Sequence, residues 1–387
     1  MTALRLVAAA LALALLAGLF GCNSAPTGRS VGRALWVKRW DFRTEEQVRT
    51  AIDRAADCGF DSVFFQVRGN GTVFYRSKLE PWAEEFGHRD PGFDPLEVAC
   101  DQAAKRGIAL HAWINAIPGW RGSNPPPPDI GHLYHEHREW FLRDAEQEWQ
   151  PLQPEYIALN PCLPEVRAHI VAVAEEIVTG YPVAGLHLDY IRFLMDYSAE
   201  GKDYPHDPET LRLFDETHEA TPSEKPKKWI EWRTDQVSIL VRDIRVKLRE
   251  VRPDALLTAA VFRTPKRAME QLQDWPTWCN AGWVDAVVPM IYETDDQKFA
   301  SDLRHCVRSV KIPVIAGIGI YKQTDLRQVL RQENLAAVVG ATSAAWFDYA
   351  ALFDPETPPA RPEVLPELRE ARREALFGTA GAGSPDH

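Results

Sequence analysis

The chain has 387 residues, 26% of them charged, and carries a formal net charge of −11 at pH 7. An acidic chain with no run of Lys or Arg lacks the electrostatic footprint of a nucleic-acid binder, so nucleic acid is excluded as a partner. About 365 residues follow the leader described next, enough for one large barrel domain or two ordinary ones.

Met1 to Leu19 holds a short basic start at Arg5 and then an Ala/Leu run of roughly 14 residues, the size of a signal-peptide core and too short to span a bilayer comfortably. It ends in Leu19-Phe20-Gly21-Cys22, which resembles a lipoprotein signal. Residues 1–21 are expected to be removed and Cys22 to carry a lipid, anchoring the exported protein to a membrane of the cell envelope. Ordinary secretion is the alternative. Residues 22–32 form a short polar tether. The other five cysteines (Cys58, Cys100, Cys162, Cys279 and Cys306) are odd in number and widely spaced, so most are expected to be small buried apolar residues and not a disulfide framework.

From Arg33 onward short apolar runs alternate with amphipathic stretches, the pattern of βα units around a parallel sheet. Strands are predicted at Ala34–Trp40, Asp61–Arg68 and Ile108–Asn115. Thr44 and Gln47 make a capping box for a helix running to Cys58, and a helix from Pro95 to Arg106 stops at Gly107. A long insertion, Ala116 to Pro161, follows the third strand, and a helix from Pro164 to Thr179 leads to a fourth, Val183–Phe193. A second insertion, Leu194 to Pro226, precedes a helix over Lys227–Val251. Further strands are predicted at Ala255–Phe262, Val284–Tyr292, Pro313–Ile320 and Ala336–Ser343. The predicted fold is α/β, a single (β/α)₈ TIM barrel over residues 33–354 with long loops after strands three and four. Residues 355–387 are expected to be a largely disordered tail.

The fourth strand organises the site. Leu186, Leu188 and Tyr190 alternate with His187 and Asp189, so a strand here sends the two polar side chains to one face and aims a carboxylate off its end. In a β/α barrel that end is the catalytic face. The other strand exits add Arg39, Trp40 and Asp41, then Gln66, Arg68 and Asn70, then His111, Trp113 and Asn115. Tyr190, Arg192, Arg263, Tyr292, Glu293, Asp295, Tyr321, Trp346 and Asp348 complete the rim. Polar and aromatic groups at nearly every exit suggest a ligand with many hydroxyls. The arginines predict a cleft that is locally positive.

Other chemistries lack their residues. No His-x-His stands on a strand, the first strand carries Lys38 and Arg39, no Gly-x-Ser-x-Gly elbow occurs, and no Gly-rich strand-to-helix turn can cradle phosphate. No metal and no cofactor is expected. Carboxylate chemistry remains, and glycoside hydrolysis needs an acid, a second carboxylate or its substitute, and a cleft that holds sugar rings.

A dense, ordered set of motifs then carries a resemblance. It comprises Arg33-Ala-Leu-Trp-Val37, Phe64-Phe-Gln-Val-Arg-Gly-Asn-Gly71, Tyr75-Arg-Ser-Lys-Leu-Glu-Pro-Trp82, Asp90-Pro-Gly-Phe-Asp-Pro-Leu96, Lys105-Arg-Gly-Ile-Ala-Leu-His-Ala-Trp-Ile-Asn115, Leu159-Asn-Pro161, Gly185-Leu-His-Leu-Asp-Tyr190 and, more loosely, Val288-Pro-Met-Ile-Tyr292. In these residues the chain resembles the bacterial glycosyl-hydrolase-like family ten, whose members include lipoproteins acting on peptidoglycan. The resemblance implies a barrel glycosidase with Asp189 as the leading catalytic residue and a polysaccharide substrate, peptidoglycan glycan strands without stem peptides. Two residues depart from the family pattern: Ala184 stands where an Asp often precedes the Gly, and Glu293 where an aromatic residue is common. Glu293 as a second carboxylate therefore rests on position alone. With one well-placed Asp, a two-carboxylate mechanism and attack by the substrate's own N-acetyl group both remain open. So does a tethered barrel that binds glycan without cleaving it.

Overall fold

The computed structural model describes residues 30–194, 202–323 and 325–354. The expected leader, the expected lipidation at Cys22, most of the expected tether and the expected C-terminal tail lie outside the described residues. Ten strands are described: β1 Ala34–Val37, β2 Ser62–Arg68, β3 Ala109–Asn115, β4 Pro118–Gly122, β5 Gln153–Ala158, β6 Gly185–Asp189, β7 Leu256–Phe262, β8 Ala286–Ile291, β9 Ile315–Gly319 and β10 Ser343–Phe347. Eight of them close in the order β1-β10-β9-β8-β7-β6-β3-β2, and β4 pairs with β5 as a separate antiparallel hairpin. Every barrel pairing is parallel, and helices pack outside it, so the fold is the TIM barrel that the alternating pattern predicts.

Local sequence explains where the helices begin and end. Thr44 and Gln47 form the reciprocal capping box that starts the helix Glu45–Asp57. Asp94 accepts from the backbone N–H groups of Leu96 and Glu97, Pro95 opens the helix Pro95–Arg106, and Gly107 at φ +68° closes it. The Pro208–His218 helix inside the second insertion carries a Pro start and an Asp207 cap, start signals that stand in the sequence itself.

One strand differs from expectation. Ala336–Val339 closes the helix Leu326–Val339, which ends at Gly340 with φ +102°, and the eighth barrel strand is β10, seven residues later in its start. A short apolar run is ambiguous by periodicity, and the glycine after it is what marks a helix end.

Alternation along each strand separates two cores. Ala34, Trp36, Phe64, Trp113, Ala286, Val288, Ile315 and Ala345 fill the barrel interior, while Leu35, Val37, Phe65, Leu110, Ile114, Leu186, Leu188 and Trp346 pack outward under the helices. No disulfide joins the described cysteines, and all of them are buried.

Candidate active site

A cavity of about 250 Å³ opens at the C-terminal ends of the strands. Its lining comes from the inward-facing register of the barrel: Trp36 and Lys38 from β1 and its exit, Gln66 from β2, Trp113 and Asn115 from β3, Asp189 from β6, Ala260 from β7, Met290 from β8 and Phe347 from β10. Trp40, Tyr190, Arg192 and Tyr292 add to it from the loops, and the β4–β5 hairpin contributes Arg121, Glu155 and Tyr156.

Asp189 ends β6 directly opposite Asn115 of β3. Burial pushes its carboxyl up to about 6, against the opposing pull of the Tyr190 backbone N–H, the Arg192 charge and the Trp113 indole. The Tyr190 N–H donates to Asp189 Oδ1 at 2.7 Å. Tyr190 itself sits at φ +48°, a left-handed conformation that is unfavourable for a bulky residue and is found where a site fixes its geometry. The Asn115 side chain is set by two contacts. It accepts from Trp113 Nε1 at 3.1 Å and donates from Nδ2 to the Tyr156 hydroxyl at 3.4 Å. A buried carboxyl with a raised pKa in a cleft is the signature of a proton donor at near-neutral pH.

Aromatic rings form the floor and sides. Tyr292 stacks on Phe347 with centroids 5.4 Å apart, and burial together with the Asp189 charge holds its phenol well above the usual range, so it is a neutral donor. Gly319 makes room for it, since a Cβ there would lie 2.7 Å from Tyr292 Cβ. At the mouth, Trp40 is 44% exposed beside the guanidinium groups of Arg39 at 4.5 Å and Arg121 at 5.6 Å. An exposed indole of this kind offers a flat apolar face to a sugar ring.

His187 and His111 lie one layer below, in the barrel interior, and do not line the cavity. Trp36 Nε1 donates to His187 Nε2 at 3.1 Å, which leaves the proton on Nδ1, 2.9 Å from Thr258 Oγ1. Burial, with His111 nearby, keeps His187 well below its usual pKa, and burial takes His111 down to about 4. Neutral His187, stacked on Phe64 at 3.9 Å, thus orients the Trp36 indole under the cavity and does not touch a ligand.

Several residues expected to bind substrate are placed elsewhere. Between β2 and β3 the register passes from Gln66 opposite Trp113 to Arg68 opposite Ile114, two steps against one. This bulge turns Arg68 to the outer face. There it is fully buried, bidentate on Glu80 at 2.7 and 2.8 Å, and holds the carbonyls of Asn115 and Ala116. Arg39 faces outward as well: it donates to Asn70 Oδ1 at 2.7 Å and pairs with Glu85 at 3.3 Å. Its guanidinium occupies the space that a Cβ on Gly69 would need. Asn70 is therefore a partner of Arg39 and not part of the lining.

Trp346, the fourth of the five residues of β10, packs outward against Phe60 and Arg33, as the shifted strand requires. Arg263 pairs with Glu293 and Asp302, and Glu293 is held by Lys298 and Arg263 outside the cavity, with the Lys298 contact drawing its pKa down. Glu293 is thus not placed as a second carboxylate of this cavity. Lys38 is neutralised by Asp348 at 2.7 Å. Of the four arginines expected to make the cleft positive, Arg192 lines the cavity and Arg39, Arg68 and Arg263 do not.

The expectations omitted Trp36, Lys38, Phe347, Met290, Arg121, Glu155 and Tyr156 from the lining. The first two were legible, because Trp36, Lys38 and Trp40 share one register and Arg39 does not. The hairpin residues were not, since nothing in the Pro-rich insertion indicates that it folds back over β3. Among the described residues no group of three or more His, Cys, Asp or Glu is placed to hold a metal ion.

Glycosyl hydrolase DigH of Escherichia coli O6:H1 is 26% identical over 270 residues, covering 62% of this chain and 56% of its own. Glycosyl hydrolase YngK of Bacillus subtilis strain 168 is 23% identical over 279 residues, covering 66% and 51%. The chain spans about half the length of these curated relatives. The α-galactosidase AgaA of Geobacillus stearothermophilus, solved with stachyose, superposes with a TM-score of 0.52 at 12% identity over 90% of this chain and 43% of that one, a likeness of fold. The model of the family described as Glycosyl hydrolase-like 10 matches residues 32–336, and the chain belongs to that family.

Proposed function

We propose that the protein is a glycosidase in which Asp189 protonates the leaving-group oxygen of a glycan held in the cavity above β6. The observation that carries this reading is a carboxyl pushed to about 6 by burial at the end of a barrel strand, ringed by Trp36, Trp113, Tyr292 and Phe347. Such a group still carries its proton in mildly acidic solution, up to about pH 6, and releases it readily, which general acid catalysis requires. The aromatic walls exclude water from the proton donor, and the amides of Asn115 and Gln66 suit sugar hydroxyl or acetamido groups. The resemblance in β1 to β6 supports N-acetylated glycan strands of peptidoglycan as substrate. The leader supports export to the cell envelope with a lipid on Cys22.

Incubation with peptidoglycan strands stripped of stem peptides, poly-N-acetylglucosamine, cellulose and starch, read by mass spectrometry, should give cleavage products from the N-acetylated polymers. Turnover of none of the four would sink the glycosidase reading in favour of a glycan-binding barrel. Release of glucose oligomers alone would sink the substrate assignment.

The acid role also fixes a pH dependence. Above about 6 Asp189 loses its proton, so kcat should fall roughly tenfold per pH unit on the alkaline limb. A rate that rises between pH 6 and 8 would show Asp189 acting only as an ionised group.

A further inference from the structure

We propose that Glu155 is the second catalytic carboxylate, a general base toward the attacking water, so that hydrolysis inverts the anomeric carbon. The proposal rests on Asp189 as the proton donor. Of the residues lining the cavity, only Asp189 and Glu155 carry carboxylates. The acids offered by other strand ends are occupied. Lys298 and Arg263 hold Glu293 away from the cavity, while Asp348 is bound to Lys38 and caps the helix Tyr349–Phe353. Glu155 is exposed, and its side chain makes no hydrogen bond or ion pair among the described residues.

Its position is fastened to the acid. The neighbouring Tyr156 accepts from Asn115, which lies opposite Asp189 in register, and its ring packs edge-on against Tyr190 at 5.1 Å. The hairpin therefore stands over the same cavity floor that presents Asp189. One carboxyl is buried among aromatic rings and the other stands in water, and such a split in environment assigns acid and base. Solvent reaches Glu155 directly, which supplies the nucleophile to that side.

In the step itself Glu155 takes a proton from water as the water oxygen bonds to the anomeric carbon. The glycosidic C–O bond breaks, its electron pair passes to the leaving oxygen, and that oxygen receives the Asp189 proton. Glu155 ends protonated and Asp189 ionised. Exchange of one proton with solvent restores both. A single displacement by the water that Glu155 activates gives inversion, as in two-carboxylate glycosidases that leave room for water.

The test uses the full chain with stripped peptidoglycan strands and, in a second arm, poly-N-acetylglucosamine. Glu155→Gln should lower kcat by roughly 10²–10⁴-fold, the range for loss of a general base, with KM and thermal melting as in the parent. Glu155→Ala should regain turnover with azide, an anion that attacks without giving up a proton, and should form a glycosyl azide. The first sugar anomer released by the parent, followed by NMR, should be opposite to that of the substrate. A kcat for Glu155→Gln within about threefold of the parent, a rise in KM alone, or release with retention would each overturn the proposal. An active parent with an inactive Asp189→Asn and an active Glu155→Gln rejects Glu155 alone. A parent inactive on every polymer rejects the glycosidase reading together with it.

Discussion

Replacing Asp189 by Asn should remove turnover and leave the protein at least as stable as before. Asn keeps the shape and the oxygen that accepts from the Tyr190 N–H at 2.7 Å, but it has no proton to give. Loss of general acid catalysis lowers kcat by roughly 10²–10⁴-fold, while glycan binding should persist because Trp36, Trp40, Trp113 and Tyr292 are untouched.

The stability side follows from the sign of the shift. Burial raises the folded carboxyl to about 6, above the ordinary 3.8 of an aspartate, so the fold prefers the protonated form. That preference is fully present below about 3.8 and is lost as pH rises through about 6. At pH 8 the ionised group costs up to roughly 3 kcal/mol. Asp189→Asn should relieve part of that cost, and its urea midpoint at pH 8 should equal or exceed the parent's. A variant that cleaves glycan at the parental rate, or one that is less stable and loses activity only in step with unfolding, would mark Asp189 as structural.

Breaking the Arg68–Glu80 pair should have the largest effect on folding. Both side chains are fully buried, and His169 Nε2 joins them at 2.9 Å from Glu80. Burial by itself would raise the Glu80 pKa, but the Arg68 charge and the hydrogen bonds from His169 and Arg68 outweigh it and bring the carboxyl down to about 2. Glu80→Gln leaves the guanidinium buried without its counter-ion, a loss of about 3–5 kcal/mol.

The pH dependence runs opposite to that of Asp189. A depressed carboxyl contributes stability above about 4.5 that is lost as pH falls toward 2, so the gap between parent and Glu80→Gln should narrow in acid. Because Arg68 also holds the Asn115 and Ala116 carbonyls, the variant should lose activity through a loosened Asn115. Replacing both partners, Arg68→Met with Glu80→Leu, should recover much of the stability, since no unpaired charge remains. Urea unfolding at pH 7 and pH 3.5 checks this. Equal destabilisation by the single and the double variant would mean that packing, and not charge pairing, is what the site supplies.

Much of the fold was legible in the chain. Alternation of period two marks the strands, caps at Thr44 and Asp94 and the closing Gly107 mark the helices, and eight βα units leave little choice but a closed barrel. The same alternation placed Gln66, Trp113, Asn115, Asp189 and Tyr292 toward the cavity. It erred where local order does not decide. The Ala336–Val339 run is apolar enough for either a strand or a helix, and only the pairing of β10 with β1 and β9 selects Ser343–Phe347 as the strand.

Sequence by itself thus determined the barrel, its catalytic face and the carboxylate of β6, because these follow from the period of a strand and the direction of a βα unit. Tertiary structure alone decided which polar groups at that face are free to meet a ligand. A bulge of one residue sends Arg68 outward to Glu80, depth along the strand hides His187 beneath Trp36, and ion pairs with Lys298 and Arg263 draw Glu293 away. The fold of the long insertion brings Glu155 over the cavity. Each of these depends on contacts between residues far apart in the chain, and pattern along the chain carries no information about such contacts until the barrel has closed.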